Sequence, residues 1–332
     1  MRALVTGGAG FIGAALVVRL LAEGAEVVVV DDGSAAGLGR LEGCTGPLIV
    51  HRMDVRAPDL QAVVEATAPE VAFHLAAQVD VGRSVADPVH DASVNVLGTL
   101  ALLEAVRRLP RPARVVLAAS GGSLYGPEDR IPLPTPESAS WAPLSPYGLS
   151  KLAAAGYLEA YRRLHGTEGC ALALANVYGP GQRGRVTSGG EAAVVTAFVD
   201  ALARGDEPVV HGDGEQTRDL VYLDDVVDAF WRAATSPAVA GGPALYNVGT
   251  GIETSVNDLA RHLYALAGRP ARLHHGPARP GEVRRSCLDA HLARDLLGWR
   301  ATTSLDEGLR TTLARRLPAE TGETASASPP AT

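Results

Sequence analysis

A tyrosine and a lysine four residues apart form the pair best suited to chemistry in this sequence. Tyr147 and Lys151 share one face if the segment between them is helical. A phenol has a pKa of about 10, and a lysine charge at roughly 4–5 Å lowers it by about 3 units at an effective dielectric near 20. Such a phenol serves as a general base and acid near neutral pH. Because surface Tyr/Lys pairs share this spacing, the position of the pair in the fold decides its meaning.

The elements around this pair place it where a ligand cleft is expected. Ser145-Pro146 is a typical helix start, and the preceding strand is predicted at residues 114–119. In a doubly wound sheet, ligands bind in the crevice at the carboxyl ends of the strands. The pair follows such a strand end, so its position favours a catalytic role over a surface one.

Apolar, β-branched runs alternate with helical patterns along the first half of the chain, and this rhythm predicts parallel βαβ units. The predicted strands are residues 3–6, 26–31, 48–53, 71–75, 114–119 and 170–175, and the predicted helices are residues 11–23, 88–108 and 147–165. Residues 27–30 are apolar without alternation, as in a strand that is covered on both faces. The predicted fold is α/β, a Rossmann-type doubly wound parallel sheet.

Beyond residue 175 the rhythm changes to loops rich in glycine and proline with shorter elements between them. We therefore predict a Rossmann domain over residues 1–175 and a smaller α/β substrate-binding lobe over residues 176–316, with some interleaving of the two. Residues 317–332 are rich in Ala, Ser, Thr, Glu and Pro, and this composition predicts a disordered tail.

Charge and cysteine content narrow the range of partners. The net charge is −7, whereas binding to nucleic acids or anionic membranes requires a broad basic surface. Neither is therefore expected as a partner. No segment approaches 18 uninterrupted apolar residues and no signal peptide is evident, so a cytoplasmic protein is expected. Cys44, Cys170 and Cys287 are too few and too scattered for a disulfide framework or a zinc site. Asp224-Asp225 is interpreted as a cap of the helix predicted at residues 226–234, so no metal is predicted.

A glycine-rich turn lies between the first predicted strand and the first predicted helix. Gly7, Gly10 and Gly13 lack the Cβ atoms that would keep a pyrophosphate away from the backbone N–H groups and the helix N-terminus. Asp31 ends the second strand, where a carboxylate accepts hydrogen bonds from the adenine ribose, and Asp32 follows it. No arginine is adjacent in the sequence to meet a 2′-phosphate. The arrangement favours NAD over NADP, and a dinucleotide site over an ordinary loop.

Taken together, these motifs resemble the extended short-chain dehydrogenase/reductases, in particular the NAD-dependent epimerase/dehydratase family and its UDP-glucose (UDP-galactose) 4-epimerases. The resemblance extends to about residue 315. It implies further cofactor contacts at Phe11, Ile12, Asp54, Val55, Leu75, Ala76, Ala77, Asn95, Tyr147 and Lys151. Asn95 resembles the asparagine that bends a helix in that family. His74 is open to two interpretations, a chemical role or a hydrogen-bonded core histidine.

The resemblance also implies a catalytic hydroxyl in the loop after residue 119. Many relatives carry a serine or threonine four residues before the loop tyrosine, and this position is Gly121 here. Another branch of the family has a Ser-Gly-Gly-x-x-Tyr-Gly loop like this one, and for it the role is assigned to Ser123, with Ser120 as the alternative. The 4,6-dehydratases carry an Asp-Glu pair at positions 122 and 123, and the decarboxylases a glutamate at position 122. This chain has Gly122-Ser123 there instead. The resemblance therefore leaves oxidation and re-reduction at one sugar carbon as the reaction.

The second lobe carries the residues that the resemblance assigns to the sugar nucleotide. Together with Ser120 and Ser123, they are Asn176, Ala192, Val195, His211, Arg218, Arg279, Glu282 and Ser286. The two arginines are assigned to the diphosphate, because an acidic protein needs charge-assisted donors to bind a dianion. Each arginine alone is more typical of a surface charge, but the two together, behind a dinucleotide site, favour ligands. His211 is also typical of an exposed turn. Ser286 stands at the position that gates the sugar, where a serine leaves room for an N-acetyl group.

The predicted function is that of an isomerase, an NAD-dependent nucleotide-sugar 4-epimerase of the UDP-glucose/UDP-galactose type. One alternative is a UDP-N-acetylhexosamine or a UDP-glucuronate 4-epimerase. In the glucuronate case Arg183 and Arg185 are candidates to meet the C6 carboxylate, although both are more typical of solvated loop arginines. A second alternative is a non-catalytic NAD-binding sensor or scaffold. The helices near residues 95–108 and 147–165 resemble a pair that forms a four-helix interface in this family, so a homodimer is expected.

Overall fold

Thirteen strands and twelve α-helices make up the part of the chain that the structure describes. The computed structural model describes residues 1–35, 37–127, 130–182, 194–278 and 283–316. The strands are Arg2–Thr6 (β1), Glu26–Asp31 (β2), Leu48–Arg52 (β3), Val71–His74 (β4), Arg114–Ser120 (β5), Gly169–Leu174 (β6), Asn176–Tyr178 (β7), Val209–His211 (β8), Thr217–Tyr222 (β9), Leu245–Val248 (β10), Glu253–Ser255 (β11), His274–Gly276 (β12) and Arg285–Ser286 (β13). The helices are Phe11–Ala22 (α1), Leu60–Thr67 (α2), Val81–Ala86 (α3), Pro88–Ala92 (α4), Gly98–Arg107 (α5), Gly121–Leu124 (α6), Pro146–His165 (α7), Val194–Arg204 (α8), Leu223–Thr235 (α9), Val256–Leu266 (α10), His291–Leu297 (α11) and Leu305–Arg316 (α12).

Seven strands form one parallel sheet in the order β10-β6-β5-β4-β1-β2-β3. Helices α1 and α9 cover one face, and α2, α5 and α7 cover the other. The strand order reverses between β1 and β4, whose carboxyl ends pair through Thr6 and His74. Ligands of such sheets bind in the crevice outside the point of reversal. The predicted doubly wound α/β fold is confirmed.

Burial on both faces explains why the strands of this sheet are apolar throughout. All six residues of β6 are buried, and Val27, Val29 and Val30 of β2 expose 1% or less of their surface. Helix α1 turns Leu16 and Leu20 into the same core, where both are fully buried. Each such aliphatic side chain contributes about 1.5–3 kcal/mol by leaving water. This core fixes the strand ends, where the predicted ligand residues lie.

A smaller lobe has a hydrophobic core of its own. Strand β9 pairs with β7, β11 and β13, and β8 pairs with β12. Helices α8, α10 and α12 pack against one another, and α12 contacts β9. Phe198, Leu202, Leu263 and Leu309 belong to this second core. The lobe therefore holds β9 and its neighbours as a packed unit.

Two segments beyond residue 176 return to the large sheet. Strand β10 pairs with β6, and α9 packs against α1. Trp299 is buried in the same core and donates from Nε1 to Asp225 O at 2.8 Å. The sequence pattern missed β10, because four residues between two glycine-containing turns carry too little pattern. The division at residue 175 stays a prediction, and the predicted tail over residues 317–332 lies outside the described residues.

A π-helical segment interrupts the helix predicted at residues 88–108. The helical stretch extends from Pro88 to Arg107, and Ser93–Leu97 is its π-helical part. Among the described residues, this is the one stretch long and apolar enough to cross a membrane by length and composition. However, 44% of its apolar window is buried inside the fold, and the stretch contacts α2 and α7. Core helices of globular proteins pass the same test.

Candidate active site

The turn between β1 and α1 has no room for side chains at its glycines. A Cβ on Gly7 would lie 2.5 Å from Ala76 N, and a Cβ on Gly13 would lie 2.1 Å from Gly7 O. Gly7 also has a φ of +71°, which favours glycine. Gly10 is the N-cap of α1, and no side chain of the described residues caps that helix, so its first N–H groups face the turn. The turn therefore fits a pyrophosphate group.

Asp31 ties the end of β2 to this turn. Its Oδ2 accepts from Ala9 N at 2.8 Å, and its Oδ1 accepts from Gly33 N at 2.8 Å. A carboxylate has about four acceptor positions, so these bonds orient Asp31 and leave acceptor capacity for ribose hydroxyls. Asp32 accepts from Ser34 N at 2.8 Å and shapes the loop that follows. The residues present fit the dinucleotide that the sequence predicts.

Arginines lie near Asp31 and Asp54 in the fold, although none is adjacent to Asp31 in the sequence. Arg52 pairs in register with Asp31 on the neighbouring strand. Arg56 donates from Nε to Asp54 Oδ1 at 2.9 Å, and this bond holds the pKa of Asp54 below its usual value. The sequence shows only which residues are adjacent along the chain, whereas parallel strand pairing brings Arg52 beside Asp31. The role of Asp54 and Val55 at the adenine edge stays a prediction.

The loop after β4 lies against the glycine-rich turn. Leu75 N donates to Thr6 O at 3.0 Å, and Ala76 N donates to Thr6 Oγ1 at 3.4 Å. The structure thereby brings together the ends of β1 and β4 and the remaining residues assigned to the cofactor. Those residues are Phe11, Ile12, Leu75, Ala76 and Ala77, all partly buried.

His74 is a hydrogen-bonded core histidine. Its Nδ1 lies 2.6 Å from Thr6 Oγ1 and its Nε2 lies 3.0 Å from Thr99 Oγ1. Thr99 donates its hydroxyl hydrogen to Asn95 O, so it accepts from the Nε2–H of a neutral ring. Burial, and to a smaller extent the charge of Lys151, lower the pKa of His74 to about 3. Of the two sequence-based interpretations, the structure supports the core histidine.

The helix that carries Tyr147 lies directly against the serine-containing loop. Ser145 caps α7 by accepting from Gly148 N at 3.1 Å, as its sequence predicts. A Cβ on Gly148 would lie 2.4 Å from Ser123 O, so glycine is what lets the helix approach the loop this closely. Ser120 Oγ and Ser123 Oγ lie 3.1 Å apart. Tyr147 is therefore brought to the loop that contains both candidate hydroxyls.

Lys151 is buried one helical turn beyond Tyr147. It exposes 6% of its surface and donates from Nζ to Ala118 O at 3.1 Å. Burial lowers the pKa of Lys151, the charge of the Asp91 carboxylate partly opposes that shift, and the resulting pKa is about 8. At pH 7 the amine therefore carries its charge. Lys151 is also the only lysine among the chain's 30 lysine and arginine residues, a signal that the sequence analysis overlooked.

Asn95 lies in the π-helical segment, in agreement with the helix-bending role. It exposes 2% of its surface. Its Oδ1 accepts from Gln78 N at 2.8 Å and its Nδ2 donates to Ser150 Oγ at 3.0 Å. The assignment of Asn95 to the cofactor stays a prediction, and in the structure its amide makes hydrogen bonds inside the protein. Asn95 connects the loop after β4 to the catalytic helix.

The glycine that departs from the family pattern has a packing reason. A Cβ on Gly121 would lie 2.3 Å from Leu288 Cδ1 and 3.2 Å from Ala173 O. Leu288 follows β13, so a segment from the end of the chain occupies the space that a serine at position 121 would need. The same loop is fixed from β10, since Tyr125 donates to Asn247 Oδ1 at 2.7 Å.

Four of the sugar-nucleotide residues lie on β9 or next to it, whereas His211 lies on β8 of a separate two-stranded sheet. Asn176 and Val195 line one small cavity together with Leu220. Arg218 is buried and donates from Nη1 to Thr217 O and Val283 O at 2.8 and 2.9 Å, and Ser286 pairs with it in register. His211 ends β8, with Nδ1 3.2 Å from Pro277 O. The assigned residues Ala192, Arg279 and Glu282, and the alternative ligands Arg183 and Arg185, lie outside the described residues.

The prediction that Asp224-Asp225 caps the following helix is wrong for Asp225, whose hydrogen-bond donors lie in another segment. Helix α9 begins at Leu223, and Asp225 is buried in its first turn. Its carboxylate accepts from Thr302 N at 3.0 Å and Thr303 N at 3.0 Å, so it fixes a distant loop instead of its own helix. Within the described ranges, no group of three or more His, Cys, Asp and Glu side chains is arranged to hold a metal ion.

Comparison with known proteins agrees with this geometry. Residues 3–249 match the NAD-dependent epimerase/dehydratase family. The chain belongs to this family. It is 45% identical over 316 residues to the UDP-glucose 4-epimerase of Mycolicibacterium smegmatis, covering 94% of this chain and 97% of the relative.

Solved structures of similar sequence have the same fold. One is a UDP-glucose 4-epimerase of Thermotoga maritima with UDP-glucose, at 38% identity and a TM-score of 0.87 over 95% of this chain and 98% of that one. Another is a UDP-glucose 4-epimerase of Thermus thermophilus in complex with NAD, at 35% identity and a TM-score of 0.85 over 96% and 100%. The predicted family, the Rossmann-type fold and NAD as the cofactor are confirmed.

Proposed function

We propose that this protein is an NAD-dependent 4-epimerase that interconverts UDP-glucose and UDP-galactose. The observation that carries the proposal is Tyr147, half-buried on a helix whose next turn buries the only lysine. This helix packs against the loop that holds the Ser120–Ser123 pair. The similarity to a UDP-glucose 4-epimerase over nearly the whole chain supports the same reaction class.

Tyr147 removes the proton from the sugar O4 and later returns it. The charge of Lys151 stabilises the phenolate form of Tyr147 and so brings its proton affinity towards neutral pH. When bound, NAD accepts a hydride from C4 and gives it back, so the net reaction is an isomerisation. A serine hydroxyl of the 120–123 loop holds O4 in place during both proton transfers.

The 4-keto sugar has to turn over between the two half-reactions while the nucleotide stays fixed. Asn176, Arg218 and Arg279 are the residues we assign to the diphosphate, and each charge-assisted hydrogen bond contributes about 1.5–3 kcal/mol. Ser286, which neighbours Arg218 across β9 and β13, leaves space for the sugar. A tightly held nucleotide and a loosely held sugar permit the turn.

The hydroxyl assignment is tested by two alanine substitutions. Ser123→Ala is expected to lower kcat by about 100-fold, in the range for one hydrogen bond made to a reacting oxygen. Ser120→Ala, which removes the partner 3.1 Å away, is expected to have a smaller effect. An S123A protein with wild-type kcat would transfer the role to Ser120 if S120A is impaired.

The proposed reaction is tested first by proton NMR of the anomeric region. The purified protein is mixed with UDP-galactose and no added cofactor, and the appearance of UDP-glucose is followed. Conversion supports a 4-epimerase that carries its own NAD. Failure to convert, with NAD content established by release in acid, favours the alternatives, and UDP-glucuronate and UDP-N-acetylglucosamine are then tested in the same way.

We also propose that the protein is a homodimer. Large apolar side chains are exposed on the two helical stretches that resemble a dimer interface. They are Leu97, Leu149, Tyr157 and Leu164. Exposed apolar side chains that share a face mark sites of association. Light scattering is expected to give twice the mass of the 34.3 kDa chain, and a monomeric mass would refute the proposal.

A further inference from the structure

A buried acid lies behind the catalytic helix and takes no part in the reaction described above. Asp91, in α4, exposes none of its surface. Helix α4 packs against α7, which carries Tyr147 and Lys151. A buried carboxylate is unfavourable unless its charge is paired or its oxygens accept hydrogen bonds. Its presence behind the catalytic pair therefore calls for a partner.

Neutral amides satisfy one oxygen of this carboxylate. Asp91 Oδ1 accepts from Gln78 Nε2 at 2.8 Å and from Asn95 Nδ2 at 3.1 Å. Asp91 Oδ2 is buried and has no hydrogen-bond partner among the described residues. Because both donors are uncharged, the negative charge of Asp91 is left to act on its surroundings.

The hydrogen bonds of Asp91 lead to the backbone of the catalytic helix. Asn95 Nδ2 donates to Asp91 and also to Ser150 Oγ, at 3.0 Å. Ser150 Oγ donates in turn to Tyr147 O at 2.9 Å. Asp91 thus orients the asparagine that connects the π-helical segment to the first turn of α7.

Lys151 directly follows Ser150 in α7 and is the buried cation on which the charge of Asp91 acts. Among the other ionisable groups on the packed elements, His74 of β4 is buried and neutral, and Arg83 and Asp87 at the ends of α3 and α4 are exposed. His90 of α4 is partly exposed, and Tyr147 lies on α7 with the lysine. Burial lowers the pKa of Lys151, and the Asp91 charge opposes that shift.

We propose that Asp91 is a positioning residue whose buried charge keeps Lys151 protonated and whose oxygen fixes Asn95 against the catalytic helix. The effect on turnover depends on the proposed epimerase function. The effect on the lysine does not, because it concerns the protonation of one side chain in the resting protein.

The single lysine allows a direct test. Protein labelled with ¹³C,¹⁵N-lysine gives one Cε signal, and its change with pH reports the pKa of Lys151. Asp91→Asn is expected to lower that pKa by about one unit from wild type, since an opposite charge nearby stabilises an ammonium by that order. Asp87→Asn is the matched control. It lies on the same helix, is exposed, and keeps its cap because asparagine caps as well as aspartate.

The outcomes separate this proposal from the proposed function. An unchanged lysine pKa in D91N overturns the role of Asp91, whatever the protein catalyses. If D91N does not fold, Asp91→Ser, which leaves room for a water, replaces it in the same titration. If wild type converts UDP-galactose, the alkaline limit of kcat in D91N is expected to move down with the lysine pKa. An inactive wild type would refute the epimerase proposal and leave the titration to decide on Asp91.

Discussion

The cofactor side and the sugar-nucleotide side of the site are built in different ways. On the cofactor side, main-chain atoms leave no room for side chains at two positions, since added Cβ atoms at Gly7 and Gly13 would lie 2.5 Å or less from them. On the sugar side the assigned residues are side chains on short strands, such as Asn176, His211 and Ser286. The comparison indicates that the backbone of the fold fixes the space for a dinucleotide, whereas substrate choice can vary without a change of fold.

The largest effect is expected where the two sides meet. Tyr147→Phe removes the group that moves the proton and leaves both binding sides in place. We expect kcat to fall by roughly 1,000-fold, as for loss of a general acid–base group. NAD content and the affinity for UDP-galactose, measured by calorimetry, are expected to stay within a factor of three (about 0.7 kcal/mol) of wild type. A Y147F protein that turns over within tenfold of wild type would refute the mechanism.

The cofactor side is tested by adding one methyl group. Gly13→Ala places a Cβ 2.1 Å from Gly7 O, so the turn must shift and the purified protein is expected to lose most of its NAD. Gly156→Ala is the matched control, because nothing lies within 4 Å of its added Cβ and it sits in α7. That variant is expected to keep NAD, and thermal melting checks that it folds, since Gly156 lies on the α7 face that the proposed dimer covers. Acid release of NAD and thermal melting measure the two outcomes, and full NAD content in G13A would contradict the backbone-limited site.

A change on the sugar side is expected to alter selectivity alone. Ser286→Tyr puts a bulky ring at the gate position while leaving the fold and NAD content unchanged. We expect the ratio of kcat/KM for UDP-galactose to that for UDP-N-acetylgalactosamine to rise by about tenfold, near 1.4 kcal/mol. Ser286→Ala is the control and should leave the ratio near that of wild type. A loss of NAD in S286Y would show that the two sides are not independent.

The last expected effect is on stability against acid, and it does not depend on catalysis. Folding lowers the pKa of His74 from its ordinary 6.5 to about 3, so the unfolded chain binds the proton more readily. The stability that His74 contributes is complete above its unfolded pKa and is lost as pH falls towards the folded one. We expect wild type to lose about 1 kcal/mol per pH unit more than His74→Gln between about pH 6 and pH 4. Urea unfolding measures this, and equal slopes would contradict a buried neutral ring.

The success of the sequence analysis follows from how local each feature is. Gly7, Gly10 and Gly13 and the Tyr147/Lys151 pair are short patterns that follow strands, and the end of a strand specifies where they lie. Partners far apart in the chain were missed. Asp225 accepts a hydrogen bond from Thr302, which is far away in the sequence. Tertiary packing brings this donor and acceptor together, and no rule of sequence spacing relates them. One usable sequence signal, the single lysine, was overlooked.

Substrate choice could not be predicted for a related physical reason. The added room at Ser286 permits a larger sugar without requiring one, so a single small side chain does not select a ligand. At Gly121 a neighbouring side chain does decide the residue, because Leu288 fills the space that a larger residue there would need. The sequence does not show that these two residues are in contact. Pairs of residues that share one space decide such questions, and the sequence alone does not pair them.

The order of the strands affects how this protein is made. Strands β1 to β6 leave the ribosome well before residues 245–248, so β6 remains an unpaired edge until β10 arrives. Tyr125 in the serine loop meets its partner Asn247 only at that moment. A chain that stalls or is cut before residue 245 therefore carries an open sheet edge and an unfinished catalytic loop. Such a product is an aggregation hazard and not a minimal enzyme.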